Sequence, residues 1–414
     1  MSDYKRLTAC LCCRSRNFRP YLDLGMQPLA NANTDHGEAL PVYPLGLNLC
    51  RDCFHSQLPL SVDPAVLFRN YQYVSGTTRT LDQYFADFTR KVEVDFGQTA
   101  HLDVMDIASN DGSLLRHFVE RGHTVLGVDP AENLRPLSQA NGVETLVDFW
   151  REDLAARIER RFDAVVAMNV VAHVPDPIGF LRGVARVLKP GGRFYVQTSQ
   201  ARMFDRYEFD TIYHEHLSFF TARSFLALCE SAGLKAVHLD IAPVHGDSYL
   251  WTLSTDADAS ADVSVTEELA RQSAAGFYTD AYYDGFARRV ADLARDVKAL
   301  LEDYRRSGVR IAGFGAAAKG MTFLNYAQIP LDFIVDENPI KIGRYAPGIN
   351  VPIVGMDRLR GEEAPTAFLI MAWNFATEIM AKVRSARPNV SPPGDIFVTY
   401  YPEIRIVRDD EEAA

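Results

Sequence analysis

Residues 103–118 read DVMDIASNDGSLLRHF. A short apolar run, a turn of small and polar residues and a helical repeat follow one another, which predicts strand, turn and helix. Gly112 admits dihedrals closed to other residues, so the backbone amides of ASNDG can approach a ligand. The next apolar run, HTVLGVD, ends in Asp129, and an acidic residue at the tip of a second strand is placed to accept hydrogen bonds from ribose hydroxyls. A dinucleotide fold would carry G-x-G-x-x-G under a pyrophosphate. Here Gly112 is the turn's one glycine, with Asn110 and Asp111 beside it. An acidic, glycine-poor turn is a poor host for a pyrophosphate. It suits S-adenosylmethionine (SAM), which has no phosphate and carries sulfonium and ammonium cations. The competing reading is a β-α-β unit with no ligand.

On the SAM reading, Asp106, Ala108, Asn110, Asp111, Gly112 and Asp129 are expected cofactor contacts. Asp148 and Phe149, in DFW at 148–150, lie where a third strand should end, beside the expected adenine position. Asn169 falls at the end of a fourth strand, FDAVVAMNV, near the expected methyl donor. Ligands of open α/β sheets sit at such carboxyl ends.

Working outward, LDVMDIA, TVLGVD, FDAVVAMNV and GGRFYVQTS are short strands apolar on both sides, as in a parallel sheet covered by helices. KPGG at 189–192 reads as a turn into the last of them. Upstream, Leu81, Tyr84, Phe85 and Phe88 recur at the spacing of one buried helix face. Residues 253–307 are polar and helical and lead into a second strand–turn–helix, VRIAGFGAAAKGMTFLNYA. DFIVDENPIKIG and PTAFLIMAWN follow as further strands. The expectation is an α/β SAM-binding domain at 71–252, a small metal-stapled module at 1–70, and a helical linker with a second α/β unit at 253–414.

The chain has 414 residues and a net charge of −11, which argues against non-specific nucleic-acid binding. No run of about 18 apolar residues suggests a membrane span. The start, MSDYKRLTACLCC, has no long apolar stretch of a signal peptide, so cytoplasmic residence is expected. A monomer acting on a small molecule is the expected form.

Five of the six cysteines fall in the first 53 residues. Cys10 and Cys13 form one C-x-x-C, and Cys50 and Cys53 form another. Four thiolates of this kind make a closed, structural zinc site. The alternative is a set of reduced cysteines in a small core. Cys12 competes with Cys10 for a place in the set, and His55 reads as a neighbour of it.

The C-x-x-C pairs, IASNDGSLL, NVVAHVPDP, FDTIYHEHLSFF, VHGDSYLW, GFGAAAKG, VDENPIKIGRYAPG and AWNFA occur in that order. Together they resemble the deoxysugar C-methyltransferases that act on nucleotide-linked keto-sugars, over roughly residues 8 to 405. The best-known type methylates C-3 of a dTDP-4-keto-deoxysugar. The resemblance implies a zinc module, a SAM domain and a C-terminal Rossmann-like domain, with the sugar nucleotide in the cleft between these parts. It departs at Asp247, where the family has glycine, and in VTYYPEI near the end.

Such a reaction needs a base to remove a proton next to a ketone, and a donor to hold the enolate. Histidine is suited by its near-neutral reference pKa. His216 is the candidate base, with Glu215 fixing its orientation and Tyr213 donating to the enolate oxygen. A metal reading of His214 and His216 lacks the H-E-x-x-H spacing. A buried, mutually bonded cluster without a catalytic role is the other reading of these four residues. By analogy with the family, His173 is a second acid/base candidate. Tyr73 (with Tyr71 its alternative), His214, His245 and Lys319 are candidate substrate contacts. Gly313, Gly315 and Lys319 could serve a phosphate at a helix N-terminus. The rival readings are an O- or N-methyltransferase and a non-catalytic SAM or sugar-nucleotide binder.

Overall fold

A computed structural model describes residues 3–35, 38–68, 79–98, 101–199, 201–244, 246–392 and 394–408. Compactness divides the chain into two units. The first comprises Met1–Arg19, Asn48–Ala201 and Glu215–Asp280; the second, Pro20–Leu47, Arg202–His214 and Ala281–Ala414. In the second unit two internal stretches join the C-terminal one.

The first unit holds a seven-stranded sheet: β1 (Asp103–Ile107), β2 (Thr124–Val128), β3 (Thr145–Leu146), β4 (Phe162–Met168), β5 (Leu188–Ser199), β6 (Lys235–Ala242) and β7 (Ser248–Ser254). Their spatial order is β6-β7-β5-β4-β1-β2-β3. Strands β1 to β5 are parallel, and β7 runs antiparallel to both β5 and β6. Both faces are covered. Val104, Ala164, Val166 and Tyr195 pack with Leu81, Phe85, Phe88 and Val92 of α1 (Arg79–Asp95) and with Leu114 and Phe118 of α2 (Ser113–Glu120). Met105, Ile107, Val165, Phe194, Val196 and Trp251 fill the opposite face with Leu181, Val184, Phe225 and Leu228. Double coverage explains why these strands read as continuous apolar runs.

Two expectations change here. KPGG does not precede β5 but lies within it, as an irregularity where the pairing to β4 shifts between Leu188 and Arg193. The β6–β7 pair has no strand signal of its own in the sequence reading; β7 is buried along nearly its whole length.

In the second unit, β8 (Arg310–Phe314), β9 (Phe333–Val335), β10 (Ile353–Val354), β11 (Thr366–Ile370), β12 (Ile396–Thr399) and β13 (Arg405–Arg408) form a sheet ordered β10-β9-β8-β11-β12-β13. All pairs are parallel except β12–β13. The strand order reverses between β8 and β11, as in a doubly wound nucleotide-binding sheet. Gly313 and Gly315 have packing reasons to be glycine. A Cβ at Gly313 would stand 2.8 Å from Met371 Cε, and one at Gly315 2.9 Å from Ala372 Cβ, with φ +89° at Gly315. Among the described residues, no helix is long and apolar enough to cross a membrane.

Candidate active site

The turn after β1 is wound tightly. Ala108 (φ +61°), Asn110 (+52°) and Gly112 (+75°) all take left-handed conformations. The amides of Ala108 and Ser109 donate to Val128 O of β2, at 2.7 and 3.2 Å. Asp129 continues that clamp: its Oδ2 accepts from Asn110 N at 2.9 Å and its Oδ1 from Ala131 N at 2.8 Å. Each oxygen keeps a lone pair for a ribose hydroxyl. Burial raises the Asp129 carboxyl above its ordinary range. Asp111 Oδ1 accepts from Ser113 N and Oγ, so it starts α2 and holds the turn.

Asp106 is buried in β1, and its Oδ1 has no hydrogen-bond partner among the described residues. Burial, then the neighbouring Asp129, pushes its carboxyl well up. A buried acceptor left open at the carboxyl end of β1 fits a cationic or hydrogen-bond-donating ligand, as SAM is. Asp148, just past β3, accepts from Phe149 N at 2.8 Å and pairs with Arg151 and Arg157 at 3.4 and 3.2 Å. Asn169, at the end of β4, has φ +56° and an Oδ1 without a partner among the described residues. These residues fit the group expected there.

Past Asn169 the chain makes a helical turn at Val171–His173. His173 Nδ1 meets Glu215 O at 2.7 Å; a carbonyl oxygen accepts, so Nδ1 carries a proton. Burial pulls the His173 imidazole down to about 4, against the pull of the Glu215 and Asn169 carbonyls. The rings of His173 and His216 lie 4.8 Å apart. Glu215 and His216 are nearly buried.

The position of His216 traces to the cysteine module. Leu217 N donates to Ala172 O at 2.8 Å, while Leu217 O accepts from Leu58 N at 3.0 Å. Ser218–Phe219 then pairs antiparallel with Ser56–Gln57, which pairs with Asn48 and Leu49. Gln57 Oε1 accepts Leu11 N at 2.9 Å, tying the first C-x-x-C to the same strand.

The sulfurs of Cys10, Cys13, Cys50 and Cys53 lie within 4.8 Å of one another. Cys10–Cys53 and Cys13–Cys50 are each 3.6 Å apart. Tetrahedral zinc with bonds of about 2.3 Å needs sulfur edges of about 3.8 Å, so the set fits the ion. Cys12 is buried outside it, its amide donating to Cys10 Sγ at 3.4 Å. His55 also lies outside, packed on Phe220.

The YHEH run is divided: Tyr213 and His214 belong to the second unit, Glu215 and His216 to the first. His214 is buried beside the Tyr43 ring, and burial pulls it down to about 4. In the same unit Lys319 Nζ sits 4.9 Å over the Trp373 ring. Trp373 Nε1 and Tyr400 OH both donate to the buried Asp210 Oδ2, at 3.0 and 3.1 Å. That cluster escaped the sequence reading, since its members lie far apart in the chain. Asp247 takes φ +74°, a conformation glycine adopts freely. Tyr71, Tyr73 and His245 lie outside the described residues.

Comparison with known proteins gives three family matches in chain order. They are a zinc binding domain over residues 10–68, a methyltransferase domain over 68–239 and a C-methyltransferase C-terminal domain over 243–402. The C-methyltransferase NovU of Streptomyces niveus is 30% identical over 419 residues, covering 98% of this chain and 99% of its own. A ubiquinone biosynthesis O-methyltransferase of Xanthomonas oryzae pv. oryzae (strain PXO99A) is 37% identical over 100 residues, 23% of this chain and 42% of its own. Magnesium protoporphyrin IX methyltransferase of Synechocystis PCC 6803, solved with bound SAM, covers 41% of this chain and 78% of its own at 15% identity and a TM-score of 0.32.

Proposed function

The chain belongs to the C-methyltransferase family that includes NovU, and from that premise we propose that it methylates a nucleotide-linked 4-keto-deoxysugar, dTDP-linked, at C-3. It is a SAM-dependent enzyme with a zinc-binding module. When bound, SAM supplies an electrophilic methyl group. The protein's own task is to make the acceptor carbon a nucleophile.

The observation that carries the reading is the His173–His216 pair, with ring centroids 4.8 Å apart. His216 takes the proton from the carbon next to the ketone. His173 stays neutral, because burial disfavours the charged ring more than the Glu215 carbonyl on Nδ1 favours it. A neutral neighbour does not repel the imidazolium that forms on His216. The Glu215 backbone therefore holds His173, and the Leu217 ladder holds His216 beside it.

The test is turnover with carbon-13-methyl SAM on dTDP-, GDP- and CDP-linked keto-sugars, read by NMR. The expected product carries the label on a ring carbon next to the ketone. A methoxy or N-methyl signal overturns the reading, as does turnover on none of these sugars.

A further inference from the structure

Gln197 lies near the carboxyl end of β5 and is 1% exposed. Its backbone O accepts from Asn169 N at 2.9 Å, so it stands directly beside the end of β4, four residues before His173. A carboxamide buried this deeply needs partners for two donors and one acceptor. Its Oε1 has one: the Tyr84 hydroxyl of α1, at 2.5 Å. Burial, then Asp240, raises the Tyr84 phenol above its ordinary value, so it keeps its proton and acts as the donor. The contact therefore fixes which way the amide faces. With its oxygen bonded to Tyr84, Nε2 is the amide's donor end, and no hydrogen bond from it is found among the described residues.

Topology says what lies at this end of the sheet. The cofactor turn belongs to β1, β2 and β3, on one side of β4; β5 lies on the other side. An acceptor molecule bound over the ends of β4 and β5 would bring its oxygen atoms to the neighbourhood of this amide. We propose that Gln197 is a further substrate-binding residue, donating through Nε2 to an oxygen of the methyl acceptor, and that Tyr84 is the positioning residue that orients it. This rests on the keto-sugar reading. A carboxamide suits that task because it donates to ketone and enolate oxygens alike without itself titrating. Its bond strengthens as charge grows on the oxygen.

The test compares Gln197→Glu and Tyr84→Phe with the wild-type enzyme. Gln197→Glu keeps the size and the Tyr84 bond but removes the donors. Its kcat/KM should fall about 100-fold, the loss that follows removal of one oxyanion donor. Tyr84→Phe frees the amide to rotate and should cost about 5- to 10-fold, mostly in acceptor KM. Affinity for S-adenosylhomocysteine, by calorimetry, should stay within about twofold in both, as no cofactor bond is lost. Gln197→Glu turnover within about twofold of wild type overturns the proposal, as does an equal loss of cofactor affinity. If Gln197→Glu fails to fold, Tyr84→Phe decides alone: an unchanged acceptor KM overturns the proposal. Wild-type turnover on a keto-sugar tests the underlying reading separately, and its absence overturns both.

Discussion

His173 Nδ1 lies 2.7 Å from the backbone oxygen of Glu215, which fixes the histidine's tautomer and sets its ring 4.8 Å from that of His216. A nitrogen-15 titration should find His173 neutral, with Nδ1 protonated, down to about pH 4. Its proton uptake therefore does not account for any loss of activity between pH 7 and 5. A midpoint near the ordinary histidine value would refute this picture. His173→Phe should lower kcat/KM by about 100-fold while leaving SAM affinity intact.

The cysteine module carries the strand that holds the segment after His216, through Leu58 N and Leu217 O. Purified enzyme should contain one zinc ion per chain, measured by atomic emission. Structural zinc contributes on the order of 10 kcal/mol to its module. Cys50→Ser should therefore lose the metal, lower the melting temperature and lower kcat together. Retention of full activity after complete zinc removal would contradict the link to His216.

Gly112 sits at φ +75°, and a Cβ there would stand 3.2 Å from the Val143 side chain. Gly112→Ala should cost about 1–2 kcal/mol for the left-handed backbone. It should also weaken SAM binding, because Asn110 and Asp111 share the turn. Calorimetry showing wild-type affinity would remove the turn from the cofactor site.

In the second unit, burial raises the Glu208 carboxyl to about 7 despite Lys319, and raises Asp210 as well. A carboxyl raised above its unfolded value favours folding while protonated. Its contribution is full below about pH 4.5 and is lost as pH rises through 7, by up to roughly 3 kcal/mol. Glu208→Gln should therefore gain stability over wild type at pH 8 and little at pH 4.5, in urea melts. Asp210→Ala leaves the Trp373 and Tyr400 donors stranded and should cost about 1–3 kcal/mol for each.

What could be read from sequence was what is local. The apolar runs of β1, β2, β4 and β5 announce themselves because both faces of that sheet are covered. The C-x-x-C pairs announce the four-sulfur cluster because ligand spacing is a short-range property. Asp129 was legible as an acid at a strand tip; its clasp on Asn110 N was not, since that depends on how the turn is wound. The same device recurs in the second sheet, where Asp336 Oδ2 accepts Ala316 N at 2.7 Å. Gln197 gave no signal, and Tyr84 signalled only a buried helix face. Their contact joins residues 113 apart, and each alone looks like an ordinary member of a strand or a helix. The glycines of GFG resemble a phosphate loop, and their neighbours Met371 and Ala372 add a packing reason that the sequence did not show.

The most direct test of the central claim is proton exchange without methyl transfer. The keto-sugar nucleotide is incubated in D2O with enzyme and S-adenosylhomocysteine, and deuterium at the carbon next to the ketone is followed by NMR. Wild-type enzyme should exchange that hydrogen, and His216→Asn should reduce the rate to the enzyme-free background. Exchange by His216→Asn at the wild-type rate would show that another group removes the proton.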